Sequence, residues 1–195
     1  MPTQEELRRG TNPHFGTLGF NDNCQRVVHA YEMRARGFDV TARMARPMDT
    51  WGMNTRDGWM SALDGAYDEY VQNIRRVVVP QQGWNEHDYR FYRVTADPSQ
   101  HVLQLAQGWD APARGHVVFG RGQGKIGHVF NVEWDGKELR VIEAQDPKAS
   151  NMTLAEYMNQ IPQSSNWKNP EPLAFISAIL SDNKDFNDGV LKAVQ

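Results

Sequence analysis

Cys24 is the only cysteine of the chain, and it follows Asn21-Asp22-Asn23 at the head of a segment that runs to Gly37. In that segment Val27, Val28, Tyr31 and Ala35 recur at three- and four-residue spacing, which gives one apolar helix face. Asn23 or Asp22 is placed to cap the start, and Gly37 to end it. A thiol in a first helical turn feels unpaired N–H groups and the positive end of the helix dipole, both of which favour the nucleophilic thiolate. A lone cysteine is also a good small hydrophobe, so the chemical reading needs a base.

His128 supplies one. Gly115–Gly120, Gly127–Trp134 and Lys137–Glu143 have strand character, and Asp135-Gly136 is a two-residue hairpin signal. With Trp134 opposite Lys137, counting back along the strands puts His128 directly opposite Glu143. Cross-strand partners share a face, with Cβ atoms roughly 4.5–5.5 Å apart. Gln145 has the same parity, whereas Asp146 needs a bulge to join them. A carboxylate at one ring nitrogen fixes the tautomer and stabilises the imidazolium, leaving the other nitrogen to take a proton from a thiol. Alone, such a pair is more often an ordinary surface contact; together with Cys24 it completes a Cys-His-acid set. Gly127 leaves room beside His128.

His116 is the rival base, but no acid is predicted opposite it. His29 lies away from the Cys24 turn, and His14, His87 and His101 fall in loop-like contexts. CxxC, HxH and HExxH spacings are absent, so no metal site is expected. Gly120-Arg-Gly-Gln-Gly124 joins two strands, as a mobile loop and not a phosphate cradle. Gly-x-Ser-x-Gly is absent, which leaves a serine hydrolase without support.

These groups need a scaffold. The 195 residues suit one domain, and six Trp, six Tyr and eight Phe argue against disorder. The net charge of −3 provides no global basic field for nucleic acid or anionic membrane. Arg34, Arg36, Arg43, Arg46, Arg75 and Arg76 form local clusters that read as solvated faces. No apolar run approaches ~20 residues, the N-terminus lacks a signal-peptide core, and one cysteine excludes an internal disulfide. Met1 is compatible with a domain cut from a longer protein.

Residues 1–20 look irregular, Phe38–Ala42 a short strand, 43–56 a loop, 57–79 a helix, and 80–97 a loop with a possible strand. His101–Gln107, Thr153–Ile161 and Leu173–Leu180 are expected as helices, and the polar tail from Ser181 as peripheral. Trp51, Trp59, Trp84 and Trp109 are expected mostly in the core. A helix followed by an antiparallel sheet is an α+β arrangement.

Several of these segments resemble a known family. Asn12-Pro13, Asn23-Cys24-Gln25, Val28, Ala30-Tyr31-Glu32, Arg36-Gly37, Asp39-Val40 and Ala42 resemble the front of the papain-fold toxin domain, the toxin glutamine deamidases of bacterial polymorphic toxins. Ala113-Arg114-Gly115 and Gly127-His128-Val129-Phe130-Asn131-Val132 resemble its histidine strand. Glu143-Ala144-Gln145 stands where the family has an Asp, one residue and a Gln, and Val27 stands where it often has a second cysteine. The likeness covers residues 12–42 and about 103–146.

The resemblance implies a papain-like (transglutaminase-like) fold, in which an N-terminal helix bearing the cysteine packs on an antiparallel sheet carrying the histidine and the acid. It implies one catalytic domain over 1–195, with an insertion at 43–102, a candidate target-recognition surface, and a C-terminal helical extension at 151–195. Cys24 would be the nucleophile, His128 the base and Glu143 the orienting acid. Asp146 is the alternative acid, and Gln145 a second orienter or substrate contact. The oxyanion would be met by the Cys24 N–H, with a side-chain donor from Asn21 or Asn23. No cofactor or metal is required. The substrate would be a glutamine on a target-cell protein, reached by a dedicated secretion apparatus without a Sec signal. An immunity protein is the expected partner, with no role for nucleic acid or membrane. A cysteine protease, a transglutaminase or an inactive papain-like binding module are the alternatives on the same scaffold.

Overall fold

The computed structural model describes residues 2–46, 58–74, 97–121, 127–146, 151–160 and 173–195. The calls on 47–57, 75–96, 122–126, 147–150 and 161–172 lie outside them, including Trp51, Trp84, His87 and most of the glycine-rich loop.

The fold is α+β. Among the described residues five α-helices surround a five-stranded antiparallel sheet. The helices are α1 (Gln4–Thr11), α2 (Cys24–Ala35), α3 (Ala66–Ile74), α4 (Pro98–Ala106) and α5 (Leu154–Gln160). The strands are β1 (Ala113–Arg121), β2 (His128–Trp134), β3 (Leu139–Ile142), β4 (Met152–Thr153) and β5 (Leu173–Leu180), in the spatial order β4-β3-β2-β1-β5.

Strand alternation sends side chains to two apolar layers. Val118, Val129, Ile142, Phe175 and Ile179 pack with Val28 and Tyr31 of α2, Trp59, and Tyr70 of α3. Val117, Phe119, Phe130, Val132, Val141 and Ile176 pack with Val102 and Ala106 of α4 and Leu154 of α5. Both faces of the sheet are therefore covered.

Helix α2 ends as expected. Gly37 takes φ +96°, its N–H donates to Arg34 O at 2.9 Å, and Phe38 N donates to Met33 O at 3.0 Å. These two bonds make a Schellman stop that requires the left-handed conformation of glycine.

Several expectations need correction. Leu173–Leu180 is a strand, β5, paired with β1, and not a helix. The 151–195 segment is therefore not purely helical: among its described residues Met152–Thr153 and Leu173–Leu180 join the sheet and Leu154–Gln160 is a helix. A run of the length of Leu173–Leu180 that is apolar but for Ser177 fits a strand covered on both faces as well as a helix. The tail from Ser181 is not peripheral: Ser181, Val190, Ala193 and Val194 are buried, and Thr41 and Gln195 exchange two backbone bonds of 2.9 Å. Phe38–Ala42 accordingly contributes a single bridge, Ala42 to Val194, and no strand.

Residues 4–11 are helical, started by a capping box in which Glu6 N donates to Thr3 Oγ1 and Thr3 N to Glu6 Oε2. The helix expected from residue 57 is broken: Trp59–Ala62 is a 3₁₀ turn, Leu63 bridges Phe186, and Gly65 at φ +71° precedes α3. His101 sits on α4 and not in a loop.

His116 on β1 and His29 on α2 meet inside this core, ring centroids 5.1 Å apart, with Trp59 at 5.6 Å from His116. Burial, then the charge of Arg36, pushes His116 down to about 3, and burial, then His116, holds His29 well below the ordinary imidazole range. Both therefore fold neutral. The stability they contribute is present above about pH 6.5 and is lost as pH falls toward their folded pKa values, roughly 2–3 kcal/mol from His116 between pH 7 and 4.5. In urea denaturation, His116→Leu is expected to lose less stability than the wild type between those two pH values. An equal loss would show that this imidazole does not titrate on unfolding.

Candidate active site

The site forms at the end of the sheet where the two layers meet. Cys24 opens α2 and packs against the layer containing Val28 and Tyr31. His128 opens β2 on the opposite face, its ring 6.2 Å from Phe119 and 5.9 Å from Phe130. The two side chains lie close enough for the thiol to influence the charge on the imidazole. Cys24 is half-buried, and its N–H, at the first helical position, has no acceptor within the helix.

Glu143 holds the imidazole: His128 Nε2 lies 2.8 Å from Glu143 Oε2, leaving Nδ1 as the ring nitrogen for the thiol. The hairpin achieves this differently from the expected turn. Trp134 pairs with Leu139, so four residues, 135–138, connect the strands; Asp135 Oδ1 accepts from Lys137 N at 2.8 Å and Glu138 N at 2.7 Å. This Asx-type turn shifts the register by two residues. An even shift keeps every side chain on its face, so Glu143 reaches His128 diagonally instead of from directly opposite.

The buried carboxylate is fully met. Oε2 also accepts from the Tyr157 hydroxyl of α5, and Oε1 accepts from Gln145 N at 3.0 Å. Burial raises the Glu143 pKa, but the charge and hydrogen bond of His128, with those of Tyr157 and Gln145, outweigh it and leave the carboxyl below its usual range. Burial likewise opposes a charge on His128. The carboxylate of Glu143, then the neighbouring Cys24, overcome this and hold its proton up to about 10. Tyr157 is pushed well above the phenol range by burial and by Glu143, so it stays a donor. The carboxylate that meets the imidazole is Glu143; the main chain of Asp146 accepts from Arg8 at 3.2 Å.

Gln145 and Asn23, expected to meet substrate or oxyanion, are placed as braces. The Gln145 side-chain amide donates to Asn21 O, and the Gln145 main-chain carbonyl accepts from Asn12 Nδ2 at 2.8 Å. Asn23 gives α2 no side-chain cap. Its two amide hydrogens go to Asn12 Oδ1 at 3.1 Å and Arg43 O at 3.0 Å, so it has none to offer an oxyanion. The Cys24 N–H remains the donor at the nucleophile.

Three residues that sequence reasoning did not assign complete the frame. Arg8, 3% exposed, donates to Glu143 O and Asp146 O. Asn12 links Phe20 O, Gln145 O and the amide of Asn23. Tyr157 had a predicted helix but no local spacing to tie it to residue 143. His116, the rival base, lies in the core beside His29 and Trp59. Among the described residues no cluster of His, Cys, Asp or Glu would hold a metal, and no helix is long and apolar enough to cross a membrane.

No protein-family model, no curated protein and no solved structure matches this chain. What the site can do rests on its geometry: a thiol at a helix start, an imidazole near it, and a carboxylate behind the imidazole.

The imidazolium is fully held below about pH 6.5 and is released as pH rises through about 10. Glu143→Gln removes the neighbouring negative charge that most favours the imidazolium, so the His128 titration, followed by NMR, is expected to move down by more than one pH unit. Tyr157→Phe is expected to move it up, because the carboxylate loses a competing donor. An unmoved titration in Glu143→Gln would dismiss Glu143 as the partner that sets the charge.

Proposed function

We propose that this chain is a cysteine-dependent amidohydrolase of papain-like (transglutaminase-like) fold, a protein glutamine deamidase acting as a bacterial toxin or effector. The observation that carries the reading is the His128–Glu143 pair held beside Cys24 at the first position of α2, with the Cys24 N–H next to the sulfur. The choice of a glutamine side chain draws on the family resemblance of the Cys24 and His128 segments.

The reaction follows from the residues. An imidazolium beside a thiol favours the thiolate. The Cys24 sulfur attacks the carboxamide carbon, and the oxyanion is met by the Cys24 N–H at the positive end of α2. His128 passes its proton to the leaving nitrogen, the C–N bond breaks, and ammonia departs from a thioester. Neutral His128 then takes a proton from water, the hydroxide adds to the thioester, and the C–S bond breaks to release glutamate and return the proton to the Cys24–His128 pair. Glu143 stabilises the imidazolium and fixes its orientation throughout, and Tyr157, Gln145 and Arg8 hold Glu143.

Converting one glutamine to glutamate replaces a neutral donor–acceptor with an anion, which is enough to disable a catalytic or interface position on a target protein. A cell that makes such an enzyme needs an inhibitor, so a cognate immunity protein is the partner of this reading, and delivery into the target cytoplasm its route.

The test is comparative proteomics of a susceptible bacterium expressing wild type or Cys24→Ala. A glutamine-to-glutamate change that depends on Cys24 is the expected result. New cleavage termini would make the enzyme a protease, and equal toxicity without any modification would sink the catalytic reading. On the purified target, His128→Ala is expected to lower the rate by roughly 10²–10⁴-fold, and to lower the melting temperature as well, because the buried Glu143 carboxylate loses a donor.

A further inference from the structure

Strand alternation and register bring two phenyl rings to the face that carries His128. His128 and Phe130 are two residues apart on β2, so their side chains leave the sheet on the same side. Phe119 of β1 stands directly opposite His128 in the β1–β2 register and shares that side. Phe119 and Phe130 belong to the apolar layer under α4 and α5, and Phe130 is 1% exposed.

The imidazole lies against both rings. Its plane is 30° from that of Phe130, with centroids 5.9 Å apart, which is an offset stack; it meets Phe119 at 69°. Phe130 in turn packs on the ring of Tyr157, centroids 4.7 Å apart. The Tyr157 hydroxyl donates to Glu143 Oε2, the same oxygen that lies beside His128 Nε2. The contacts therefore close on themselves, from His128 to Phe130 to Tyr157 to Glu143 and back to His128.

Glu143 meets the imidazole at one nitrogen. A single hydrogen bond tolerates a range of angles, so it fixes a point on the ring and not its plane. A stack fixes the plane, and with it the direction of Nδ1. Productive geometry at a reacting group has to be held to within about 10–20°. A phenyl ring also acts on charge. Its face is the negative part of the quadrupole, and a cation within ~6 Å of the centroid is attracted to it, more strongly where water is excluded. The titratable groups around the imidazole are Glu143 beyond β3, Tyr157 on α5 and Cys24 on α2; β1 contributes the uncharged Phe119. Phe130 adds an attraction that carries no formal charge.

We propose that Phe130 is a positioning residue of the Cys24–His128 site, its ring fixing the plane of the imidazole and favouring the imidazolium over the neutral form. The effect on His128 stands on this packing alone, whereas its consequence for catalysis rests on the amidohydrolase reading.

The test replaces Phe130 in the full chain by mono-, tri- and pentafluorophenylalanine. Fluorination keeps the ring and its packing but drains negative charge from its face. Followed by NMR, the His128 titration is expected to fall stepwise along the series, by about one pH unit for the pentafluoro ring, with the melting curve kept. A titration that stays put along the series would overturn the proposal, even if Phe130→Leu moved it, because that variant also changes packing. The second readout is alkylation of Cys24 by iodoacetamide at neutral pH, which follows the thiolate that an imidazolium favours. It is expected to slow several-fold with the pentafluoro ring and further in Phe130→Leu, which frees the plane of the imidazole as well. No slowing in the first would count against the effect on charge, and no further slowing in the second against the fixing of the plane. Ammonia release from a glutamine peptide is read separately: a titration that follows the series in a protein with no Cys24-dependent release keeps the role of Phe130 and discards the deamidase.

Discussion

A carboxylate inside a protein must be met by donors or it takes up a proton, and Glu143 is both buried and held ionised. Its three donors come from three places: His128 at the start of β2, Tyr157 on α5 and the main chain of Gln145. The β2–β3 register, the docking of α5 and the course of residues 143–145 must therefore all be right at once. Arg8 adds a clamp from α1 on the carbonyls of Glu143 and Asp146. Loss of any one donor leaves a buried charge partly unpaired, at a cost of several kcal/mol. The same charge keeps the proton on His128, so the packing requirement and the chemistry at the ring are one constraint.

Helix α2 carries the nucleophile to that ring, and it is pinned at both ends. At its head, Asn23 and Asn12 pair through their amides, and Asn12 reaches on to Gln145 O. Near its tail, Glu32 is fully buried and shared by Arg36, Arg114 and Ser181 Oγ, which ties α2 to β1 and to the end of β5. Asn131 Nδ2 adds a bond to Val28 O midway along. Fixing both ends matters because a misplacement of about 1 Å at a reacting atom costs on the order of 10²-fold in rate.

The elements that local pattern specifies were legible: α2 from its spacing and Gly37, and β1, β2 and β3 from alternation and the Asp135-Gly136 signal. The face shared by His128 and Glu143 was legible even though the turn was misjudged, because parity survives a two-residue shift while register does not. The opening helix was also written in the sequence, in the Thr3-x-x-Glu6 box, but its polar composition hid it. What could not be read was decided by tertiary contact. Leu173–Leu180 is apolar except for Ser177, and only its place between two packed layers makes it a strand. Tyr157 and Arg8 touch Glu143 from elements distant in sequence, and no periodicity relates them to it.

Asn23 illustrates why the residue types at a site are legible while their roles are not. An asparagine before a helix suggests a side-chain cap worth about 1 kcal/mol, and next to a nucleophile it suggests an oxyanion donor. In the fold it does neither, because both amide hydrogens are spent on Asn12 and Arg43. The local stabilisation is forgone, and the head of α2 is instead held against the strand end that carries Glu143 and Gln145. Such departures from local preference are expected where position matters more than the stability of one element. Here the departure falls one residue before the thiol, where an error in placement would be felt most.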